Sequence, residues 1–310
     1  MTHLGQLLEV HVPVYRRVVI AATATALALV GLPASAAART VSSPKHYVAL
    51  GDSYAAGPLI PLQRADPIGC GKSTSSYPAL LATTLHIHDY TDVSCSGATT
   101  VNMTTPQVVP LGLNPAQFDA LRPDTDLVTV TISGNDIGFA DILLTCVGLS
   151  STDPLGNPCE RQATAGGIDR YAQRIAATAP KVARVLQGIR ERSPHATVLL
   201  VGYLRILPPT FGCYPVLPVA RGDVPYLDGL QQQLTAMLAS QAFNHGAVFV
   251  NSYAASLGRD ACQLPGVKWV EGTVVTSPAA PVHPNATGMR AVATFALDGL
   301  SDLDEAPPRG

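Results

Sequence analysis

Charge is scarce in this sequence. Only 14% of its 310 residues are Asp, Glu, Lys or Arg, and the formal net charge is -2 with no long basic block. That excludes the electrostatic footprint of a nucleic-acid-binding protein. Aromatic residues make up only 5%, with one tryptophan, Trp269, which leaves little material for an aromatic-lined sugar groove. The cysteines never fall in Cys-x-x-Cys spacing, so a zinc site is not expected. A phosphate-binding loop is missing too. Gly71-Lys72-Ser73-Thr74 looks like the end of one, but the required first glycine is Asp66 and no strand precedes it. No internal repeat is visible.

What is present is apolar material and an export-like start. Nearly half the residues are apolar (47%), enough for the core of one large α/β domain. Arg16 and Arg17 precede an uncharged apolar run from Val18 to Leu32, and Ala34-Ser35-Ala36 has the small residues of a cleavage site. Residues 1–36 are therefore expected to be a signal peptide cut after Ala36. The general route is favoured over the twin-arginine one, whose other signal residues are absent. The run is short for a membrane anchor, so no span is expected after cleavage. Six cysteines follow: Cys70, Cys95, Cys146, Cys159, Cys213 and Cys262. An even number in an exported chain points to three disulfides, with fifteen pairings open.

Strand-like and helix-like stretches alternate. His46 to Leu50 is an apolar run closed by Gly51, and Leu127 to Ile132 is the clearest strand. A short strand is expected in Val93–Thr100, and others at Thr197–Val201 and Ala247–Val250. Helices are expected over about 75–86, from near Ile137, and from Ile168 to Ile189 with Pro180 kinking it. A further helix, capped by Asp223, should run to Gly246, and the last from Thr287 to Leu300. Residues 146–167, 203–222 and 254–282 read as loop. The pattern predicts a mainly parallel sheet with helices on both faces, as one domain over 37–303, with a loose tail at 304–310.

On that layout, Ser53 in Gly51-Asp52-Ser53-Tyr54, Gly97 and Asn135 each follow a strand, so all three fall on one sheet edge. His195 and His245 precede strands and fall on the other edge. His283 precedes the last helix and shares the edge of Ser53, with Pro284 keeping it out of helical geometry. Singly, each residue has a plainer use. Gly-Asp-Ser is ordinary turn chemistry, Gly97 suits a turn, Asn135 suits a cap, and His283 could simply pack. Together they fit acyl transfer. Ser53 is the nucleophile and His283 its base. The Ser53 N–H, the Gly97 N–H and the Asn135 amide are the oxyanion donors.

These four blocks, Gly51-Asp52-Ser53-Tyr54, Ser96-Gly97, Gly134-Asn135-Asp136 and His283-Pro284-Asn285, resemble those of the SGNH (GDSL-type) hydrolase superfamily. The six-cysteine layout resembles its secreted actinobacterial lipase/esterase branch. The resemblance spans about residues 45–300. It implies a flavodoxin-like three-layer α/β/α fold, ester hydrolysis without metal or organic cofactor, and disulfides between successive cysteines: Cys70–Cys95, Cys146–Cys159 and Cys213–Cys262. The α/β-hydrolase elbow does not fit, because its second glycine would be Ala55.

The chain departs from the family in one place. Many members carry an aspartate three residues before the histidine, and here that residue is Ala280. A main-chain carbonyl near Ala280 is expected to orient His283 instead, with Glu271 as the less favoured substitute. Asp52 and Asp136 are expected to anchor loops. Loops 55–75, 101–120, 146–167 and 203–222 are expected to wall the pocket. The expected function is a secreted, monomeric lipase or carboxylesterase acting on a small-molecule or lipid ester. A polysaccharide O-deacetylase and a non-catalytic wall-associated binding module are the alternatives.

Overall fold

The computed structural model describes residues 44–305. The expected signal peptide and the end of the expected tail, 306–310, lie outside them. In chain order the strands are β1 (His46–Gly51), β2 (Asp89–Asp92), β3 (Gln107–Val109), β4 (Gly112–Asn114), β5 (Leu127–Thr131), β6 (Thr197–Val201) and β7 (Val248–Val250). β1, β2, β5, β6 and β7 form one parallel sheet in the order β2-β1-β5-β6-β7, and β3 and β4 form a separate antiparallel hairpin. From Tyr47 onward β1 is buried at every position, and so is all of β5. That continuous burial is what a parallel sheet covered on both faces requires.

The helices are α1 (Ser53–Ala56), α2 (Tyr77–Thr84), α3 (Phe139–Ser150), α4 (Pro158–Thr164), α5 (Arg170–Arg192), α6 (Asp223–Asn244), α7 (Ser252–Ala255) and α8 (Ala286–Glu305). Crossovers between parallel strands are right-handed. The chain steps one way from β1 to β2 through α2, and the opposite way from β5 to β6 and from β6 to β7 through α5 and α6. Those opposite steps put α2 on one face and the α5–α6 pair on the other. α8 packs on α2, and α5 packs on α6, completing three layers. This is the flavodoxin-like α/β/α arrangement. Its strand order reverses at β1, so a crevice opens beyond the carboxyl ends of β1 and β5, where such folds hold ligands.

Several sequence expectations are corrected here. The edge strand is Asp89–Asp92, not Val93–Thr100. Its Asp-Tyr-Thr-Asp sequence is polar because most of it is not fully buried, so it carries no apolar signature. Val93 and Cys95 still donate to the Ala49 and Gly51 carbonyls (3.0 Å each), as a loop running beside β1. Residues 146–167 are not irregular. They finish α3 and form α4, with Pro158 in the first turn of α4, where a missing N–H costs nothing. Asp223 does not cap its own helix. Its carboxylate accepts the Cys159 and Glu160 N–H groups of α4 at 3.0 and 2.9 Å. α8 runs on to Glu305, past the expected end at Leu300. The three disulfides are Cys70–Cys95, Cys146–Cys159 and Cys213–Cys262. Lys72, from the phosphate-loop look-alike, is only 2% exposed. It donates to the Asp92 carbonyl (2.9 Å) and pairs with Asp66.

Candidate active site

β1 ends at Gly51 with φ at +146°, in the region that favours glycine. A Cβ there would lie 2.6 Å from the Thr131 carbonyl oxygen of β5, so a side chain has no room. The buried Gln117 amide brackets this residue, accepting the Gly51 N–H at 2.7 Å and donating to its carbonyl at 2.9 Å. Asp52 then caps α1 by accepting the Tyr54 N–H at 2.9 Å. Ser53, the first residue of α1, is thus held at the carboxyl edge of the sheet.

His283 arrives from the loop before α8. Its Nε2 lies 2.8 Å from Ser53 Oγ. Its Nδ1 lies 2.8 Å from the carbonyl oxygen of Pro281. The carbonyl expected from Ala280 is therefore one residue further on. The Ala280 carbonyl instead accepts the His283 backbone N–H at 3.2 Å, which turns the Pro281 carbonyl toward the ring. A carbonyl can only accept, so Nδ1 carries the proton and Nε2 is left as the base facing Ser53. Burial lowers the His283 pKa below its ordinary 6.5, and the Pro281 bond offsets part of that. The preceding residue, Val282, has φ at +61°. A β-branched side chain there costs on the order of 1–3 kcal/mol, a strain common where geometry is imposed at a site. The Tyr54 hydroxyl donates to the Val282 carbonyl at 2.7 Å and helps impose it.

Glu271 does not replace the missing acid. Its carboxylate accepts from Asn285 Nδ2 (2.9 Å) and the Thr276 N–H (2.7 Å), and pairs with the Lys268 ammonium (2.9 Å). Burial pushes its pKa up, but those three partners outweigh it and the pKa is lowered. Asn285 in turn accepts the Thr287 and Gly288 N–H groups at 3.0 Å each, at the start of α8. Glu271 thus clamps the histidine loop from beneath, and its backbone N–H donates to the His283 carbonyl at 2.9 Å.

Gly97 lies in a turn after Cys95, with φ at +80°. The Cys70–Cys95 bridge and a bond from the Ser96 N–H to the Cys70 carbonyl (3.0 Å) hold the turn in place. Among the described residues the N–H groups of Ser53 and Gly97 make no hydrogen bond. Asn135 donates one amide hydrogen to the Ala98 carbonyl at 2.8 Å, which leaves its second. Asp136 binds the Thr100 N–H (2.9 Å) and hydroxyl (2.6 Å), tying the segment after Gly97 to the Asn135 turn. Asp52 Oδ2 accepts from the Tyr203 hydroxyl at 2.6 Å, and that hydroxyl accepts the Gly134 N–H at 2.7 Å. Burial pushes the Asp52 pKa up to about 7, against the downward pull of its Tyr203 and Tyr54 bonds.

Sequence reasoning missed Gln117, Tyr203 and the role of Tyr54. Tyr203 had one legible signal: it stands two residues past the last strand position of β6, on the same sheet edge. Gln117 had none.

A cleft opens at this site, and Ser53, His283 and Asn135 are among its lining residues. Its lining is mostly apolar and comes from residues 134–143, Ile175 of α5, residues 203–207 and α6. Loops 55–75, 101–120 and 146–167, expected as walls, do not line it; of the four expected walls only 203–222 contributes, through Tyr203, Ile206 and Leu207.

A three-layer parallel sheet that carries serine, glycine, asparagine and histidine on four loops of one edge is the architecture of the SGNH hydrolases. Residues 49–291 match the GDSL-like lipase/acylhydrolase family, and the chain belongs to that family. It is 38% identical over 298 residues to Lipase 2 of Streptomyces coelicolor, covering 93% of this chain and 98% of the relative. Among solved structures it is similar to phospholipase A1 from Streptomyces albidoflavus (TM-score 0.67, 27% identity, 84% of this chain and 99% of that one). It is also similar to an extracellular lipase from Streptomyces rimosus (TM-score 0.63, 27% identity, 83% and 99%). The protein is an ester hydrolase of this family.

Proposed function

We propose that the protein is a secreted lipase or carboxylesterase that works through an acyl-enzyme on Ser53. The supporting observation is the contact between Ser53 Oγ and His283 Nε2, with Nδ1 committed to the Pro281 carbonyl. His283 takes the Ser53 proton as Oγ attacks the ester carbonyl, then passes it to the leaving alcohol. The Ser53 and Gly97 N–H groups and the Asn135 amide receive the developing oxyanion. Water, deprotonated by His283, releases the acid and restores Ser53. A carbonyl in place of an aspartate still fixes the imidazole tautomer, with less charge support for the imidazolium. Support for export comes from the leader-like residues 1–36 and the three disulfides. No helix among the described residues is long and apolar enough to cross a membrane.

The cleft favours an aliphatic acyl group over acetate. Leu227, Leu230 and Leu234 lie along it on α6, a rise on the order of 10 Å. On a panel of esters from acetate to oleate, kcat/KM should climb with chain length until the cleft is filled. The gain is up to about 4-fold per methylene, from about 0.8 kcal/mol of burial each. A peak at acetate would favour the deacetylase reading. Ser53→Ala should lose about 10³-fold or more in kcat and all labelling by a fluorophosphonate, with its circular dichroism unchanged. Wild-type turnover in that variant would remove Ser53 from the mechanism.

A further inference from the structure

We propose that Tyr203 is a positioning residue for the oxyanion donors, its hydroxyl fastening the Gly134–Asn135 turn to the Asp52–Ser53 turn. This role rests on the serine mechanism above and adds a residue that none of the four sequence blocks contains. The two turns follow adjacent strands, β1 and β5, and share no direct side-chain bond of their own. Tyr203 Oη joins them. It accepts the Gly134 N–H at 2.7 Å and donates its only proton to Asp52 Oδ2 at 2.6 Å. With that proton committed, Tyr203 has none to offer a substrate oxygen, so it acts through the turns and not on the ester.

Two independent features show that the position is built. Residue 134 is glycine where a Cβ would come 3.1 Å from Tyr203 Oη and 3.2 Å from the ring carbon bearing it. The Tyr54 ring stands edge-on to the Tyr203 ring with centroids 5.0 Å apart, and lies 5.1 Å from the His283 ring. The serine and asparagine loops therefore meet at the Tyr203 phenol, and Tyr54 connects that ring to the histidine loop. The titratable groups facing it are Asp52, Tyr54 and, through Asp52, Asp136 and Tyr77. Losing the hydroxyl frees the Gly134 N–H and leaves a buried carboxylate oxygen without its donor. Asn135 then loses its fixed aim, and misplacement on the order of 1 Å can cost 10²-fold.

The test is a double-mutant cycle on a water-soluble chromogenic ester. Tyr203→Phe should lower kcat about 10-fold or more with KM within about 2-fold. Asn135→Ala alone should lose about 10²–10³-fold. Tyr203→Phe added to Asn135→Ala should cost less than about 3-fold more, because both act through one donor. A merely structural tyrosine would give losses that multiply. If Tyr203→Phe does not fold, Gly134→Ala presses on the same hydroxyl and should reproduce the fall in kcat at constant KM. A Tyr203→Phe or Gly134→Ala enzyme with kcat within 2-fold of wild type, or multiplying losses, overturns the role. The same result beside an inactive Ser53→Ala leaves the serine mechanism standing, whereas an active Ser53→Ala overturns both.

Discussion

Two buried carboxylates flank the Ser53–His283 pair, and they are ionised on opposite terms. Asp52, 1% exposed, is met by a phenol and a backbone N–H but by no cation, and burial lifts its pKa to about 7. Glu271 shows no exposed surface. Burial lifts its pKa as well, yet an amide, a backbone N–H and the Lys268 ammonium outweigh that and hold it below its ordinary value. The difference shows what a cation does to a buried acid. Glu271 is a permanent anion that clamps the histidine loop. Asp52 sits at the edge of ionisation, and its bonds join the Ser53 turn to the Gly134–Asn135 turn through Tyr203.

The largest effect should come from unbalancing the clamp. Lys268→Met leaves the Glu271 charge buried without its cation, which typically costs about 3–5 kcal/mol. Urea denaturation would read it directly. A loss under about 1 kcal/mol would mean that the amide and backbone donors suffice. The sign of the pH effect follows from the lowered pKa. Glu271 contributes stability above its unfolded pKa, and that contribution is lost as pH falls through its lower folded value. Wild type should therefore weaken on acidification below about 4.5, and Lys268→Met should show less of that slope.

A smaller effect separates Asp52. Its folded pKa is raised, so its ionisation opposes folding, and wild-type stability should fall as pH climbs from about 3.8 to about 7. Asp52→Asn removes that slope. The variant should gain on wild type across this window in parallel denaturation curves, after a constant offset for the altered hydrogen bonds. Parallel stability curves would show that Asp52 ionises like an exposed acid.

The smallest effect concerns His283. Its lowered pKa keeps Nε2 unprotonated below pH 6.5, so the acid limb of kcat/KM should lie below that value. An acid limb at or above 6.5 that persists in Asp52→Asn would place an ordinary imidazole at residue 283 and break the account of its burial.

What the sequence made legible was whatever is local. Ser53, Gly97, Asn135 and His283 stand out because each belongs to a short block following a strand or preceding a helix. β1 and β5 stand out as unbroken strand-forming runs because both faces are covered, and α5 and α6 because burial on a helical period leaves a repeating pattern. What stayed hidden depends on partners far along the chain. Asp223 looks like the cap of its own helix, but it caps α4, more than 60 residues earlier. Tyr203 reaches Gly134 across 69 residues and Asp52 across 151. Gln117 reaches Gly51 across 66. β2 was misplaced because a polar edge strand has no apolar alternation to read. The Pro281 carbonyl was missed by one residue because the choice turns on backbone torsions at Val282, which composition does not encode.

The Cys70–Cys95 bridge ends one residue before Ser96-Gly97, and Cys95 also donates to the Gly51 carbonyl just ahead of the nucleophile. One covalent link thus fastens the Gly97 turn and, through the Cys95 N–H, the strand end just ahead of Ser53. That link forms only where thiols oxidise, so opening it should loosen both together.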